Sequence, residues 1–315
     1  MNSRTVKGLA AVVAILLFGA GYLLWRGFSS TPASGGEADV DLSRAGTVVL
    51  VDASGVVRQA DRDGDVRGEG PKCQRAYAAV GTLACLRALS GRFSSEIEVY
   101  DSGMKEKLTL PLWGIPSRTQ VSPSGNLVAW TVFREGDSYL ENGAFSTTAG
   151  AYNLDTGEHY GSLEDFTAYV DGEEYGAEDV NYWGITFADD DRTFYATMSS
   201  AGKTWLMRGD LADRTLTTLR QNVECPSLSP DGDRIAYKKR GDDDQWRLHV
   251  LDLDSGEDVT LAETDHVDDQ PAWLDDSTVA YSKPHDDRPA VFSVPADGAG
   301  EPRRLWVGSS PSAVT

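Results

Sequence analysis

Beyond residue 43 the chain alternates short apolar runs with short polar turns, and no stretch after residue 30 sustains a 3.6-residue period. The clearest unit is residues 228–257. It opens on the turn Pro230-Asp231-Gly232, passes through the run Ile235-Ala236-Tyr237, and returns along Leu248-His249-Val250-Leu251. A second turn, Asp254-Ser255-Gly256-Glu257, leads into Val259-Thr260-Leu261. Pro presets φ, Asp bonds its own backbone and Gly accepts positive φ, so these clusters mark tight turns. The runs between them have strand length. The unit predicts four short strands joined by three turns.

The same grammar recurs. Ser122-Pro123-Ser124-Gly125 precedes Leu127-Val128-Ala129-Trp130, Asp189-Asp190-Asp191 precedes Phe194-Tyr195-Ala196, and Asp275-Asp276-Ser277 precedes Val279-Ala280-Tyr281. A weaker copy surrounds Gly81. Turns at 81, 125, 191, 232 and 277 lie 44, 66, 41 and 45 residues apart. A period in the forties with four strands per unit predicts an all-β fold, a β-propeller of four-stranded antiparallel blades. The second turn occurs six times if Asp52-Ala53-Ser54-Gly55 is counted, the first only five times. Ring closure reconciles the two: an N-terminal hairpin forms the outer strands of a blade whose inner part comes from residues 308–315. Six blades follow, with five as the alternative.

Residues 8–25 are uncharged, and as a helix they would span about 27 Å, close to a bilayer's hydrocarbon core. Arg4 and Lys7 precede this run, and Tyr22 and Trp25 mark its far end. The expected organisation is a cytoplasmic N-terminus at 1–7, one transmembrane signal-anchor at 8–27, a flexible linker at 28–42 and the propeller at 43–315, outside the cytoplasmic membrane. A cleaved signal peptide is the alternative.

The pattern Leu228-Ser229-Pro230-Asp231-Gly232, Ile235-Ala236-Tyr237 and Val250-Leu251-Asp252-Leu253-Asp254-Ser255-Gly256-Glu257 resembles the repeat of the TolB-like β-propellers. The resemblance covers roughly residues 47–307. It implies an extracytoplasmic propeller with a binding or scaffolding role at the cell envelope, lacking here the family's amino-terminal partner domain and any fused hydrolase domain.

Charge narrows the partners. With 29 Lys+Arg against 49 Asp+Glu, the formal charge is −20, and such a field repels phosphate backbones. Nucleic acid is excluded as the main partner, and a basic protein partner is expected. No G-x-S-x-G, H-E-x-x-H or P-loop motif occurs, and the four His are isolated. Asp61-Arg62-Asp63-Gly64-Asp65 begins like a calcium loop but fails the later ligand positions, so no cofactor is assigned, calcium being the one candidate. Cys73 and Cys85 flank the turn of the first inner hairpin and are expected to form a disulfide, two free core thiols being the alternative. Cys225 is left buried and unpaired.

In a propeller the first and second turns share one face, and the remaining loops share the other. That second face gathers the insertions at 134–148 and 164–180 and the acidic loops around 242–246, 265–269 and 285–288. Tyr139, Tyr175, Asp242, Asp243, Asp244, Trp246, His285, Asp286 and Asp287 are the ligand-binding candidates, with Tyr169 and Tyr182 as further aromatics on that face. The function expected is a membrane-tethered, non-catalytic protein-interaction or ligand-binding module. The alternative is a calcium-assisted hydrolase or lyase at the central channel. The apolar inner strands suggest no convergent polar set there.

Overall fold

The computed structural model describes residues 39–62, 64–91, 94–135 and 145–314. The sequence-predicted membrane segment lies outside these residues. The described strands form six sheets, the blades of a propeller, each with an antiparallel four-stranded core. Blade 5 shows the unit clearly. From the centre outward its strands a to d are Glu224–Leu228, Arg234–Arg240, Trp246–Asp252 and Asp258–Thr260.

Burial explains the sequence pattern. Inner strands lie between neighbouring blades on both faces, so they read as continuous apolar runs. Val48 to Val51, Val128 to Trp130 and Val279 to Tyr281 are all buried. Outer strands cover only one side and alternate, as along Glu106–Trp113. The core is accordingly a ring of contacts between blades. Val48, Leu50 and Ala60 of blade 1 meet Leu274, Val291 and Trp306 of blade 6. Tyr195 and Leu206 of blade 4 meet Ile235, Tyr237 and Leu251 of blade 5.

The ring closes through blade 1. Ser309–Val314 is its innermost strand and pairs antiparallel with Thr47–Val51, Val49 opposite Ser312. Val56–Asp61 and Val66–Lys72 complete it. The split is therefore three strands from the N-terminal side and one from the C-terminus, which is why so short a C-terminal segment suffices. Val66–Lys72 escapes the sequence pattern because Gly68, Gly70 and Pro71 interrupt it. Asp52–Gly55 consequently joins strands b and c and belongs to the opposite face from the true second turns. Val40 and Leu42, read from sequence as linker, are buried between blades 1 and 2.

Two further features depart from their sequence reasoning. Cys73 and Cys85 are disulfide-bonded, with Cα atoms 5.4 Å apart. They are not cross-strand partners, however, since Cys85 stands opposite Ala76. The bond ties the connection between blades 1 and 2 to strand b of blade 2. The insertion at 164–180 is no free loop. After a single 3-10 turn at Leu163–Asp165, Thr167–Val170 and Glu173–Tyr175 form a hairpin that joins the outer edge of blade 4, parallel to Thr215–Gln221.

On the short-turn face, side chains latch neighbouring blades. Ser124 Oγ and Asn126 Nδ2 of blade 3 donate to Asp191 of blade 4 at 2.5 and 3.2 Å. Arg62 of blade 1 reaches Asp275 of blade 6 at 2.5 Å. In the turn that resembles a calcium loop, Asp61 is paired with Arg44 and Arg67.

A chain ending at residue 307 is expected to lose its cooperative thermal transition, because the paired edge of Thr47–Val51 and both faces of blade 1 open to water; a sharp transition in circular dichroism would contradict the closure. Thiol labelling of the unfolded, unreduced protein is expected to find one reactive cysteine, Cys225, and three would exclude the disulfide.

Candidate functional site

The loop face, opposite the short turns, holds a cavity of about 760 Å³ where blades 3, 4 and 5 meet. Its lining includes Glu164, Glu178, Asp179, Glu224 and Asp244, against Arg134 and Arg240. Arg134 pairs with Glu164 at 2.7 Å and Arg240 Nε with Asp244 at 3.2 Å, so both guanidinium groups are spoken for. Asp179 accepts from the Ser200 hydroxyl and the Ala201 N–H, which hold its carboxyl below the ordinary range. The apolar wall is Phe145 and Trp183, edge to face with centroids 5.4 Å apart, backed by Phe133.

Beneath the cavity lies a set of buried charges. Lys238, on strand b of blade 5, is fully buried and donates to Asp268 at 2.7 Å. Its ammonium lies 4.0 Å from the ring centroid of Trp246. Burial alone would drive Lys238 towards neutrality, but its neighbours Cys225, Asp268 and Glu224 together outweigh that and raise its pKa. Burial likewise opposes the Asp268 charge; Lys238 and Arg118 overcome it, so Asp268 titrates below the usual range. Trp246 Nε1 donates to Glu224 Oε1 at 2.9 Å, and His266 stacks on Trp246 at 5.3 Å. Glu224 is 4% exposed. Burial pushes its carboxyl pKa up, with Lys238 and the indole N–H acting against that.

Local backbone geometry sets these residues in place. Gly184, at φ +67° on the inner strand of blade 4, would put a Cβ 2.8 Å from the Cα of Cys225, so the two inner strands approach this closely only through glycine. Cys225 itself is buried, and burial raises its thiol pKa, which keeps it protonated and unreactive. A separate, small cavity of about 30 Å³ lies between Arg75, Arg118, Gln120 and Asp269. Polar residues do converge on the inner strands, contrary to the sequence reading. On the short-turn side another cavity, of about 360 Å³, is walled by Phe187, Leu228, Trp273 and Leu274. Among the described residues, no group of three or more His, Cys, Asp or Glu could hold a metal ion.

No family model and no curated protein matches the sequence. Solved structures match the fold. TolB from Acinetobacter baumannii superposes with a TM-score of 0.60 at 16% identity, over 87% of this chain and 67% of that one. A putative TolB from Agrobacterium tumefaciens gives 0.53 at 12% identity, over 84% and 90%. A chain of the nidogen/laminin complex gives 0.57 at 11% identity, over 85% and 98%. The fold is that of a TolB-like propeller.

In this propeller the sequence candidates separate. Asp244 reaches the cavity rim, with Asp242 and Asp243 exposed on the same turn. Asp243 accepts from Gln245 N at 3.1 Å and pairs with Arg247 at 2.9 Å. Trp246 is buried and acts from beneath, as a hydrogen-bond donor to Glu224, so it is no exposed contact residue. Tyr175 stands beside the cavity, its hydroxyl 2.8 Å from that of Ser200. Tyr182 is buried, and Tyr169 lies half-buried on the added hairpin. His285, Asp286 and Asp287 form an exposed turn on blade 6, away from the cavity lining. Tyr139 lies outside the described residues. His249 is tied at 2.9 Å to Asp258, which also takes Tyr237, Lys239 and Arg220 and so clamps blades 4 and 5.

Sequence reasoning missed Glu224, Lys238, Trp183 and Phe145. The available signal was Val223-Glu224-Cys225, a charge at the start of a strand otherwise dressed for burial.

Replacing Lys238 by Met strands the Asp268 carboxylate and is expected to cost about 3 kcal/mol in denaturant unfolding at neutral pH. The Asp268 pKa is depressed, so its share of the stability is present above the ordinary carboxylate value of about 4 and is lost as pH falls below it. The gap between variant and wild type is expected to close on acidification.

Proposed function

We propose that this chain is a membrane-tethered extracytoplasmic propeller that serves as a non-catalytic binding module at the cell envelope. It engages a basic protein partner through its loop face. The observation that carries this reading is the cavity between blades 3, 4 and 5, where five carboxylates outnumber two guanidinium groups already engaged in ion pairs. A cavity with this balance favours a cationic group from the partner and repels an anionic one. The exposed turn at Asp242, Asp243 and Asp244 extends the negative field to the rim. The uncharged run at 8–25 and its basic flank supply the tether and the orientation.

The test is crosslinking in intact membranes followed by affinity capture of the chain and whatever it has bound. Converting Asp242, Asp243 and Asp244 together to Asn is expected to reduce capture and to leave the melting temperature within a few degrees. Asp189, Asp190 and Asp191 are unsuitable as a control, because Asp190 and Asp191 hold the short turn and the latch between blades. Asp189→Asn, Asp254→Asn and Glu257→Gln remove the same charge from exposed positions on the short-turn face. Capture is expected to survive in this control and to fall with added salt in the wild type. Equal loss from both variants would reduce the interaction to net charge and end the loop-face reading.

A further inference from the structure

Glu224 is left chemically unfinished. Its carboxylate is buried where strand a of blade 5 begins and lines the loop-face cavity. Trp246 Nε1 donates to Oε1; Oε2 accepts no hydrogen bond among the described residues. Lys238, the nearest buried cation, directs its ammonium to Asp268, and Arg240 Nε is directed to Asp244. A buried carboxylate is costly to desolvate unless something pairs with it. Within the same cavity, Trp183 and Phe145 form an aromatic wall, a surface that accepts methylene groups and attracts cations.

We propose that this cavity binds a primary ammonium group on an apolar stem, with Glu224 Oε2 as its counter-ion and Trp183 and Phe145 as the bed for the stem. The inference deepens the loop-face reading above by naming the group recognised. Geometry also selects among cations. A guanidinium binds a carboxylate best through two parallel hydrogen bonds and needs both oxygens. Trp246 already engages one lone pair of Oε1, which leaves Oε2 as the oxygen with no donor of its own among the described residues. An ammonium, with three donors about one atom, is satisfied by that single acceptor, while the remaining donors are within the reach of water or the rim carboxylates. The chemistry is that of a lysine side chain on a polypeptide, or of a free alkylamine.

The experiment is calorimetric titration of the full chain in detergent micelles with n-pentylamine, 1-pentanol, n-pentylguanidine and a lysine tripeptide with blocked ends. Saturable binding of pentylamine is expected, with none of the alcohol and affinity for the guanidine about tenfold weaker, the worth of one charge-assisted hydrogen bond. Glu224→Gln keeps an oxygen for Trp246 and removes the charge, and is expected to weaken pentylamine by about tenfold, with the melting temperature measured alongside to establish that the variant is folded. Should that variant misfold, Phe145→Leu, at a half-buried position, serves in its place with an expected loss of about threefold. A tripeptide binding more tightly than pentylamine points to a polypeptide lysine, and the reverse to a free amine. The proposal is overturned if the amine binds no better than the alcohol, or if the folded variant keeps its affinity within about twofold. A captured partner that is lost with the Asp242–Asp244 variant but indifferent to Glu224→Gln would overturn this inference and leave the loop-face reading standing.

Discussion

Every blade of this protein has two apolar faces and can bury them only against its neighbours. A single four-stranded blade would leave both faces in water, and a row of them would leave the outer faces of its two end blades exposed. The ring removes both ends, and its closure rests on one six-residue strand, Ser309–Val314, laid against Thr47–Val51. The cluster that brings Leu50 and Trp306 together exists only in the closed ring, as do the latch from Arg62 to Asp275 and the burial of Ala60. The Cys73–Cys85 bond reinforces the boundary between blades 1 and 2, next to that closure.

The same geometry accounts for the site. Where three blades meet at the loop face, their inner strands begin, and the chain enters from loops rich in carboxylates. Residues there are buried by the ring yet lie close to an acidic surface. Lys238 can be fully buried because Asp268, descending from the connection between blades 5 and 6, meets it at 2.7 Å. Trp246 links the two environments: its face lies over the Lys238 ammonium and its N–H orients Glu224 towards the cavity. Removing one member of such a network disturbs the others, because in a low-dielectric interior an unmatched charge has no water to fall back on.

The acidic turns divide by role in a way that their composition conceals. Asp189-Asp190-Asp191 and Asp242-Asp243-Asp244 are the same tripeptide. In the first, Asp190 accepts from the Thr193 backbone and hydroxyl, while Asp191 receives Ser124 and Asn126 across a blade boundary. In the second, Asp242 is exposed on the turn, and Asp243 and Asp244 pair with Arg247 and Arg240 beside the cavity. What separates them is which face of the blade each turn occupies and what the next blade presents there.

The sequence by itself determined most of the strands and their repeat: strands because apolar runs of strand length alternate with Pro, Asp and Gly turns, and a propeller because the turn signals recur with a period in the forties, while closure was inferred from counting Asp52–Gly55 as a second turn, a place that belongs to the turn after Asp61. These are local or periodic features, and period survives in one dimension. It also determined the acidic character of the chain. The tertiary structure decided the site. On an inner strand both faces are buried, so no alternation of polar and apolar residues shows which way Glu224 or Lys238 points, and their partners Trp246 and Asp268 lie 22 and 30 residues away along the chain. The aromatic Trp246, chosen from sequence as a contact residue, became a buried support for the same reason. Such side chains are brought together only by the packing of blade on blade, which depends on the whole ring being closed.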